Sequence, residues 1–213
     1  IASPEFAGDA QKGKPAMVVS ALISTSPTLL YFGQESGEAG ALAAGFGQSS
    51  RTSIFDYVGV PAHQAWMNGG RFDGGGFTET QQQLHQFYQQ LMQISANQPA
   101  LRGEFVSLHQ HNLQTAGYSE QQMSFARFNE QQRLIVISNF SEQPASFSLQ
   151  VPAELLQQWQ VAPGDIMLSE LLQQNGAHST TAYNLHYTSG QAGTINVQLA
   201  GLGSVVLVVP SAK

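Results

Sequence analysis

The chain has 213 residues and a mass of 22.9 kDa, and its hydrophobic content of 42% is sufficient to bury a core in one or two domains. Its 14 acidic and 8 basic residues give a formal net charge of −6, which argues against a general nucleic-acid-binding protein because such proteins carry a basic surface. The absence of cysteine excludes a disulfide scaffold and a thiolate metal site, and no apolar run reaches the roughly 18 residues of a membrane-spanning helix.

The first predicted elements are a buried helix and a buried strand. Residues 14–24 are apolar on nearly every side and carry Pro15 in the first turn, where its missing N–H costs nothing. Residues 28–32 form a continuous apolar run followed by Gly33, which is typical of a parallel strand covered on both faces. Together the two segments predict an α/β unit.

Residues 36–77 are glycine-rich and irregular, and a loop of this length inside a compact domain is usually functional or poorly ordered. The run Asn68–Gly76 lacks the Gly-Lys-Ser/Thr ending of a phosphate-binding loop, so it indicates a flexible connection. Thr78 and Gln81 then have the spacing of a capping box, and apolar residues follow at helical spacing. This pattern predicts an amphipathic helix over residues 79–96.

From residue 100 onward, short strand-like runs are separated by turn residues, which indicates an antiparallel sandwich or barrel. Residues 154–159 could add one or two helical turns. We therefore expect a boundary between an α/β piece over residues 1–98 and an all-β domain over residues 99–213. The predicted strands cover residues 104–109, 123–128, 133–139, 146–151, 165–168, 183–188, 194–199 and 204–209.

Two carboxylates follow the predicted parallel strand and are candidates for acid–base chemistry. Glu35 comes shortly after the strand, and Glu38 follows three residues later. In α/β barrels the residues at the carboxyl end of a strand commonly line the active site, so Glu35 could face a substrate. The alternative is that Glu35 caps a loop by accepting hydrogen bonds from backbone N–H groups.

Histidines and aromatic residues of the all-β part are further candidates. His109 and His111 would share one face of a strand and could bind a metal, but the pattern predicts no third ligand and solvated histidines are commoner. Phe125, Phe128 and Trp159 could be sugar-stacking platforms, although aromatic residues of a sandwich more often pack in its core. We therefore expect no metal site.

Several segments, taken in chain order, carry a family resemblance. Residues 26–35 read Ser-Pro-Thr-Leu-Leu-Tyr-Phe-Gly-Gln-Glu, residues 51–57 read Arg-Thr-Ser-Ile-Phe-Asp-Tyr, and residues 124–128 read Ser-Phe-Ala-Arg-Phe. Together with the two predicted helices, the run 134–141 and the closing run 203–209, they resemble the C-terminal part of the α-amylase superfamily (glycoside hydrolase family 13).

In this resemblance, residues 26–35 match the eighth barrel strand of the family, which commonly reads Gly-x-Pro-x-x-Tyr-Tyr-Gly-Asp/Gln-Glu. The helices before and after it match the seventh and eighth barrel helices. Residues 51–57 match the Arg-x-Pro-Met-x-Trp stretch of the next loop but depart from it at Phe55-Asp56-Tyr57. The resemblance implies an α/β remnant, the last helix–strand–helix of a (β/α)8 barrel, followed by an antiparallel β-sandwich.

The resemblance also implies a parent protein that is a retaining glycoside hydrolase acting on α-glucans or maltodextrins. The catalytic carboxylates of the family lie upstream of the position matched by residues 1–3, so we expect no catalytic residue in this chain and no activity from it alone. The loop residues that the resemblance places at the rim of the substrate cleft are Gln34, Glu35, Arg51, Asp56 and Tyr57.

Two other functions stay open from the sequence. One is a non-catalytic β-sandwich module that binds carbohydrate or supports a partner domain, and the other is a transglycosylase or isomerase parent on the same scaffold. The implied partners are an α-glucan or maltooligosaccharide and the N-terminal portion of the barrel, with a homodimer through the exposed barrel remnant as a further expectation. We expect no cofactor, nucleic acid or membrane partner, and secretion or periplasmic export would fit an α-glucan-degrading parent.

Overall fold

The computed structural model of the chain describes residues 9–38, 60–172 and 182–210. The chain divides into two compact units. The helical unit comprises Ile1–Lys14 and Thr28–Gln90, and the sandwich unit comprises Pro15–Pro27 and Leu91–Lys213. No helix of the described residues is long and apolar enough to cross a membrane.

The two predicted helices before residue 98 form where the sequence pattern places them, and a third helix lies between them. Helix α1 covers Lys14–Leu22, α2 covers Pro61–Met67, and α3 covers Glu79–Asn97. The capping box of α3 is confirmed, because Gln81 N donates to Thr78 Oγ1 at 3.3 Å and Thr78 N donates to Gln81 Oε1 at 3.0 Å. Helix α2 lies inside the segment predicted to be irregular, and it begins with Pro61 in the first turn, a position that proline favours.

The prediction of a strand over residues 28–32 is wrong at the level of secondary structure. Residues 27–31 form no strand with any described residue, and residues 32–37 form a turn. Leu29 is 88% exposed and Tyr31 is 52% exposed, although a buried parallel strand would cover both side chains. A parallel strand is stabilised by neighbouring strands, and the described part of the helical unit supplies none.

The described residues of the sandwich unit form eight strands, and every pair among these strands is antiparallel, as predicted. Their order is β1-β2-β3-β8-β5-β6-β7-β4. Strand β5 joins the two halves of the sheet, because its first five residues pair with β6 and its last two pair with β8. The strands are β1 Glu104–Ser107, β2 Gln122–Phe128, β3 Arg133–Asn139, β4 Ala145–Val151, β5 Gly164–Glu170, β6 Tyr183–Tyr187, β7 Gly193–Leu199 and β8 Ser204–Val209.

Two short helices complete the sandwich unit. Helix α4, His109–Asn112, takes the place of the end of the first predicted strand, and α5, Ala153–Gln158, confirms the predicted helical turns. The core lies between the two halves of the sheet, where alternate residues of β7 are buried, as the period of a strand requires. Its members include Ile135, Ile137, Leu149, Leu185, Ile195, Val197, Val205 and Leu207.

Three aromatic side chains of the sandwich unit pack in its interior. Phe125, Phe128 and Trp159 are all less than 5% exposed, and the rings of Phe128 and Trp159 meet edge to face with their centroids 5.4 Å apart. Their faces are therefore not free to stack on a sugar ring, and of the two alternatives the structure favours core packing.

A single arginine ties several segments of the sandwich unit together. Arg127 on β2 is 1% exposed and donates to the backbone carbonyl oxygens of four residues. Its burial lowers the pKa of the guanidinium below its usual range. The four acceptors lie at the end of α1, in the turn before β1 and at its first residue: Leu22 at 3.2 Å, Leu101 at 2.6 Å, Gly103 at 3.1 Å and Glu104 at 3.2 Å.

The domain division at residues 98 and 99 stays a prediction, and a shortened chain tests it. We expect residues 99–213 to fold and unfold cooperatively, because all members of the sandwich core lie within that range. Its free energy of unfolding should be lower than that of the whole chain, because Arg127 loses the Leu22 carbonyl acceptor. Urea unfolding is followed by circular dichroism and by fluorescence of Trp159, and transitions that fail to coincide would contradict the prediction.

Candidate functional site

The turn after the predicted strand is held by its own backbone and by Glu38. Gly33 has a φ of 78°, a left-handed conformation that glycine adopts without strain, and a Cβ at this position would lie 2.6 Å from the Cβ of Glu38. The carbonyl oxygen of Gly33 accepts from Glu38 N at 2.8 Å and from Ser36 Oγ at 3.1 Å. The turn therefore has a defined shape that only glycine at position 33 permits.

Two of the predicted substrate-binding residues lie in this turn. The side chain of Gln34 donates from Nε2 to the hydroxyl oxygen of Tyr88 on α3 at 3.0 Å, and its Oε1 accepts from Tyr31 N at 3.3 Å. Glu35 is half-buried, and its carboxylate is close enough to Tyr88 to raise the pKa of that phenol. The structure thus brings Gln34 and Glu35 together around Tyr88.

The tyrosine of this site is held in its neutral form. Burial raises the pKa of Tyr88 to about 12, the hydrogen bond from Gln34 opposes the rise, and the Glu35 carboxylate adds to it. Tyr88 is therefore a protonated phenol at neutral pH and can donate its own hydroxyl proton while accepting from Gln34. The helical spacing of residues 79–96 gives no sign of this role, because the partner of the Tyr88 hydroxyl, Gln34, lies 54 positions away in the sequence.

An alkaline titration tests the burial of Tyr88. Folding raises the pKa of Tyr88 above its ordinary value of about 10. The neutral buried phenol therefore makes its full contribution to the free energy of unfolding below pH 10, and this contribution is lost as the pH rises toward 12. Burial also raises the pKa of Tyr183 in the sandwich unit to about 12. We expect the unfolding free energy, measured by urea denaturation, to fall between about pH 10 and 12, and Tyr88→Phe and Tyr183→Phe each to reduce that fall. A fall that is equal in the parent and in both variants would contradict the prediction.

The second candidate carboxylate, Glu38, is buried and holds the backbone of a helix. Glu38 is 6% exposed, and its Oε2 accepts a hydrogen bond of 3.0 Å from His63 N in the first turn of α2. The imidazole of His63 packs between Phe32 and Trp66, with ring centroids 4.8 Å and 5.5 Å away. Glu38 therefore fixes the start of α2, and its side chain is buried in this role.

Three of the predicted substrate-binding residues lie outside the described residues, and the candidate metal ligand His109 has a partner within the sandwich unit. Arg51, Asp56 and Tyr57 lie outside the described residues, and their assignment stays a prediction together with that of Gln34 and Glu35. His109 lies on α4 rather than on a strand, and its Nδ1 is 2.9 Å from the hydroxyl of Tyr118. Within residues 9–38, 60–172 and 182–210, no group of three metal-ligating side chains is assembled.

Comparison with solved structures shows which known proteins contain a similar fold. No protein family profile matches the sequence, and no curated protein matches it. The structure of AmyP in complex with maltose matches 100% of this chain with a TM-score of 0.59 and 21% identity. The chain has the fold of part of an α-amylase enzyme. The acarbose complex of the Geobacillus thermoleovorans α-amylase (TM-score 0.57, 12% identity) and the Thermotoga neapolitana maltogenic α-amylase AmyB (0.58, 9%) each match 96% of the chain.

The matched α-amylases are much longer than this chain. The chain covers 37% of AmyP, 34% of the Geobacillus enzyme and 37% of the Thermotoga enzyme. The predicted fold class, an α/β barrel remnant followed by an antiparallel β-sandwich, is confirmed by these matches together with the observed strand order, except that the described part of the remnant is helical and residues 28–32 form no strand in it. This chain therefore spans about a third of the length of the enzymes that it matches.

Proposed function

We propose that this chain is the C-terminal part of an α-amylase-like retaining glycoside hydrolase that acts on α-glucans or maltodextrins. The observation that carries the proposal is the match of the whole chain to 37% of AmyP, a protein whose structure holds maltose. In this proposal, residues 1–98 contribute the end of the catalytic barrel and residues 99–213 form its C-terminal sandwich. The chemistry is supplied by the larger part of the enzyme.

Exposed apolar side chains in the helical unit support an incomplete barrel. Leu29 is 88% exposed in the segment that resembles the eighth barrel strand, and Tyr31 is 52% exposed two residues later. A barrel strand has a hydrogen-bonded neighbour on each side, and its alternate side chains fill the interior or pack beneath helices. The N-terminal portion of the barrel would bury both side chains, and a second copy of the chain is the alternative occupant.

The turn around Gly33 is the proposed contribution of this chain to the substrate cleft. Barrel enzymes bind substrate at the carboxyl ends of their strands, which is where Gln34 and Glu35 follow the strand-like segment. Gln34 is held by Tyr31 and Tyr88, so in this proposal it orients the turn, whereas the Glu35 carboxylate has no hydrogen bond to another described residue and faces the sugar. Arg51, Asp56 and Tyr57 would complete the same rim.

Purification of the native protein tests the proposal. An antibody raised against residues 99–213 identifies the protein in its source, and we expect a mass well above the 22.9 kDa of this chain, with hydrolysis of soluble starch and maltotriose. Glu35→Gln introduced into that native protein should raise the KM for maltotriose by a larger factor than it lowers kcat, because a rim residue binds substrate and transition state alike. A native mass of about 23 kDa, or a large native protein inactive on α-glucans, would overturn the proposal.

A further inference from the structure

The loop Asn68–Gly76 follows α2 within the helical unit and folds back onto the end of that helix. Three of its backbone N–H groups donate to the last carbonyl oxygens of α2: Phe72 N to Met67 O at 3.0 Å, Gly74 N to Trp66 O at 3.0 Å and Gly76 N to Ala65 O at 3.1 Å. The last carbonyl groups of a helix have no partner inside it, so the loop completes the hydrogen bonding of α2.

The side-chain amide of Asn68 holds this loop closed. Its Nδ2 donates to Oδ1 of Asp73 at 2.6 Å, and its Oδ1 accepts from the guanidinium of Arg71 at 2.8 Å. The same Oδ1 of Asp73 accepts from Gly75 N at 2.9 Å. The amide therefore lies between a carboxylate that needs a donor and a cation that needs an acceptor, and a neutral amide serves both.

Asn68 is followed by Gly69, and this pair can lose the side-chain amide without an enzyme. Glycine has no Cβ to shield its backbone nitrogen, and Gly69 is exposed to solvent. The Gly69 nitrogen gives its proton to solvent and bonds to Cγ of Asn68, and the side-chain nitrogen leaves as ammonia. Water then opens the resulting succinimide ring at one of its two carbonyl carbons, which leaves an aspartate or an isoaspartate.

The folded backbone holds the reacting atoms apart. Asn68 has a φ of 45° and a ψ of 51°. At this ψ the Gly69 nitrogen lies almost opposite to Cβ of Asn68 about the Cα–C bond, on the far side from the Cγ that it must attack. Ring closure therefore requires Asn68 to rotate, and that rotation breaks its hydrogen bonds to Arg71 and Asp73.

Both products of the reaction are incompatible with the closed loop. An aspartate at position 68 replaces the donor with a second carboxylate beside Asp73, and like charges at this separation repel. The hydrogen bond from Asn68 is the main reason that the pKa of Asp73 lies below its usual range, so the loop loses the group that stabilises this carboxylate. An isoaspartate adds a methylene group to the main chain and shifts the following N–H groups relative to the carbonyl oxygens of α2.

We propose that Asn68 is a spontaneous deamidation site, that the closed loop delays the reaction in the folded chain, and that deamidation releases the loop from α2. The release is one-way, because the ammonia is lost to solvent. The start of the same helix is held by Glu38, so α2 connects the modification site to the turn around Gly33. The reaction involves no substrate of the enzyme, so this inference goes beyond the proposed function and does not depend on it.

Peptide mapping by mass spectrometry after incubation at mildly alkaline pH measures the reaction in the whole chain. The sequence contains one other Asn-Gly pair, Asn175-Gly176, which serves as an internal reference. In guanidinium chloride Asn68 and Asn175 should convert at similar rates. In the folded chain Asn68 should convert about tenfold more slowly than in guanidinium chloride, because its side-chain hydrogen bonds must break before the ring can close.

Variants of the two partners test the cause of the delay. Asp73→Ala and Arg71→Ala should each speed the conversion of Asn68 in the folded chain about fivefold, the effect of one hydrogen bond, and leave the rate at Asn175 unchanged. The matched control is Asp165→Ala, which removes an exposed aspartate of the sandwich unit that also has a side-chain partner. It should change neither rate.

Asn68→Asp tests the release directly. Aspartate adopts the left-handed conformation about as readily as asparagine, so this variant changes the charge with little change in backbone preference. Hydrogen exchange of the Phe72, Gly74 and Gly76 amides, measured by magnetic resonance, should become about tenfold faster. Combining Asn68→Asp with Asp73→Asn places a donor beside a carboxylate again and should restore most of the protection.

Three results would overturn the inference. The site fails if Asn68 stays unmodified in guanidinium chloride while Asn175 converts. The delay fails if Asn68 converts equally fast in the folded and unfolded chains, or if neither Asp73→Ala nor Arg71→Ala changes its rate. The release fails if Asn68→Asp leaves the exchange of the three loop amides unchanged.

Discussion

Replacing Arg127 by methionine is expected to lower the free energy of unfolding of this chain by about 3–5 kcal/mol. The substitution removes five N–H donors but leaves the carbonyl oxygens of Leu22, Leu101, Gly103 and Glu104 where the fold has placed them. Buried acceptors that lose their donor keep the full cost of their desolvation. Replacing a buried ion leaves the stability unchanged only when its partners are replaced as well. The partners of Arg127 are backbone carbonyl groups, which no substitution can replace.

Urea denaturation of the parent and variant chains measures this effect. Arg127→Lys should also destabilise, because an ammonium group does not reproduce the planar fork that reaches four acceptors at once. The matched control is Arg102→Met, since Arg102 is an exposed arginine in the turn before β1. We expect it to change the unfolding free energy by less than about 0.5 kcal/mol, as exposed substitutions usually do. A similar small effect at Arg127 would show that its hydrogen bonds contribute little.

The chain of 213 residues is expected to show no hydrolysis of soluble starch or of a chromogenic maltoside. Retaining glycosidases need two carboxylates about 5–5.5 Å apart on either side of the scissile bond, one as acid and base and the other as nucleophile. Glu35 provides one carboxylate at the turn after the strand-like segment, and Glu38 is buried against the backbone N–H of His63. A single carboxylate at this turn cannot fill both roles.

The assay requires extensively purified chain and a Glu35→Gln variant of it. Partial catalytic sets retain a residual rate only when the rest of the binding pocket survives, and about two thirds of the matched enzymes lie outside this chain. Turnover that persists through purification and disappears in Glu35→Gln would place the catalytic centre within these residues. That result would contradict both the predicted inactivity and the proposed role of Glu35 as a rim residue.

The sandwich could be predicted from sequence because its signals are local. Alternation along Gly193–Leu199 and the turn residues on either side follow from the geometry of a single strand, so each strand can be recognised without its partners. The capping box of α3 is local in the same way, since Thr78 and Gln81 satisfy each other within one turn. The resemblance to α-amylases rested on the order of such segments.

The site depends on contacts between distant positions, which local patterns do not encode. Gln34 meets Tyr88, and Glu38 meets His63, across 54 and 25 residues of sequence. A buried arginine on a strand has the same sequence signal as an exposed one, so the four carbonyl acceptors of Arg127 were not predictable.

The amino-acid sequence by itself therefore determined α1, α3 and α5, the antiparallel strands of the described residues and the class of enzyme to which the fold is related. Only the tertiary structure decided that residues 27–31 form no strand, that Glu38 caps a helix and that Tyr88 belongs to the candidate site. The physical reason is the same in each case. Helices and strand alternation are set by neighbours within a few residues, whereas a parallel strand, a buried charge or a pocket exists only when distant segments supply the other half of its interactions.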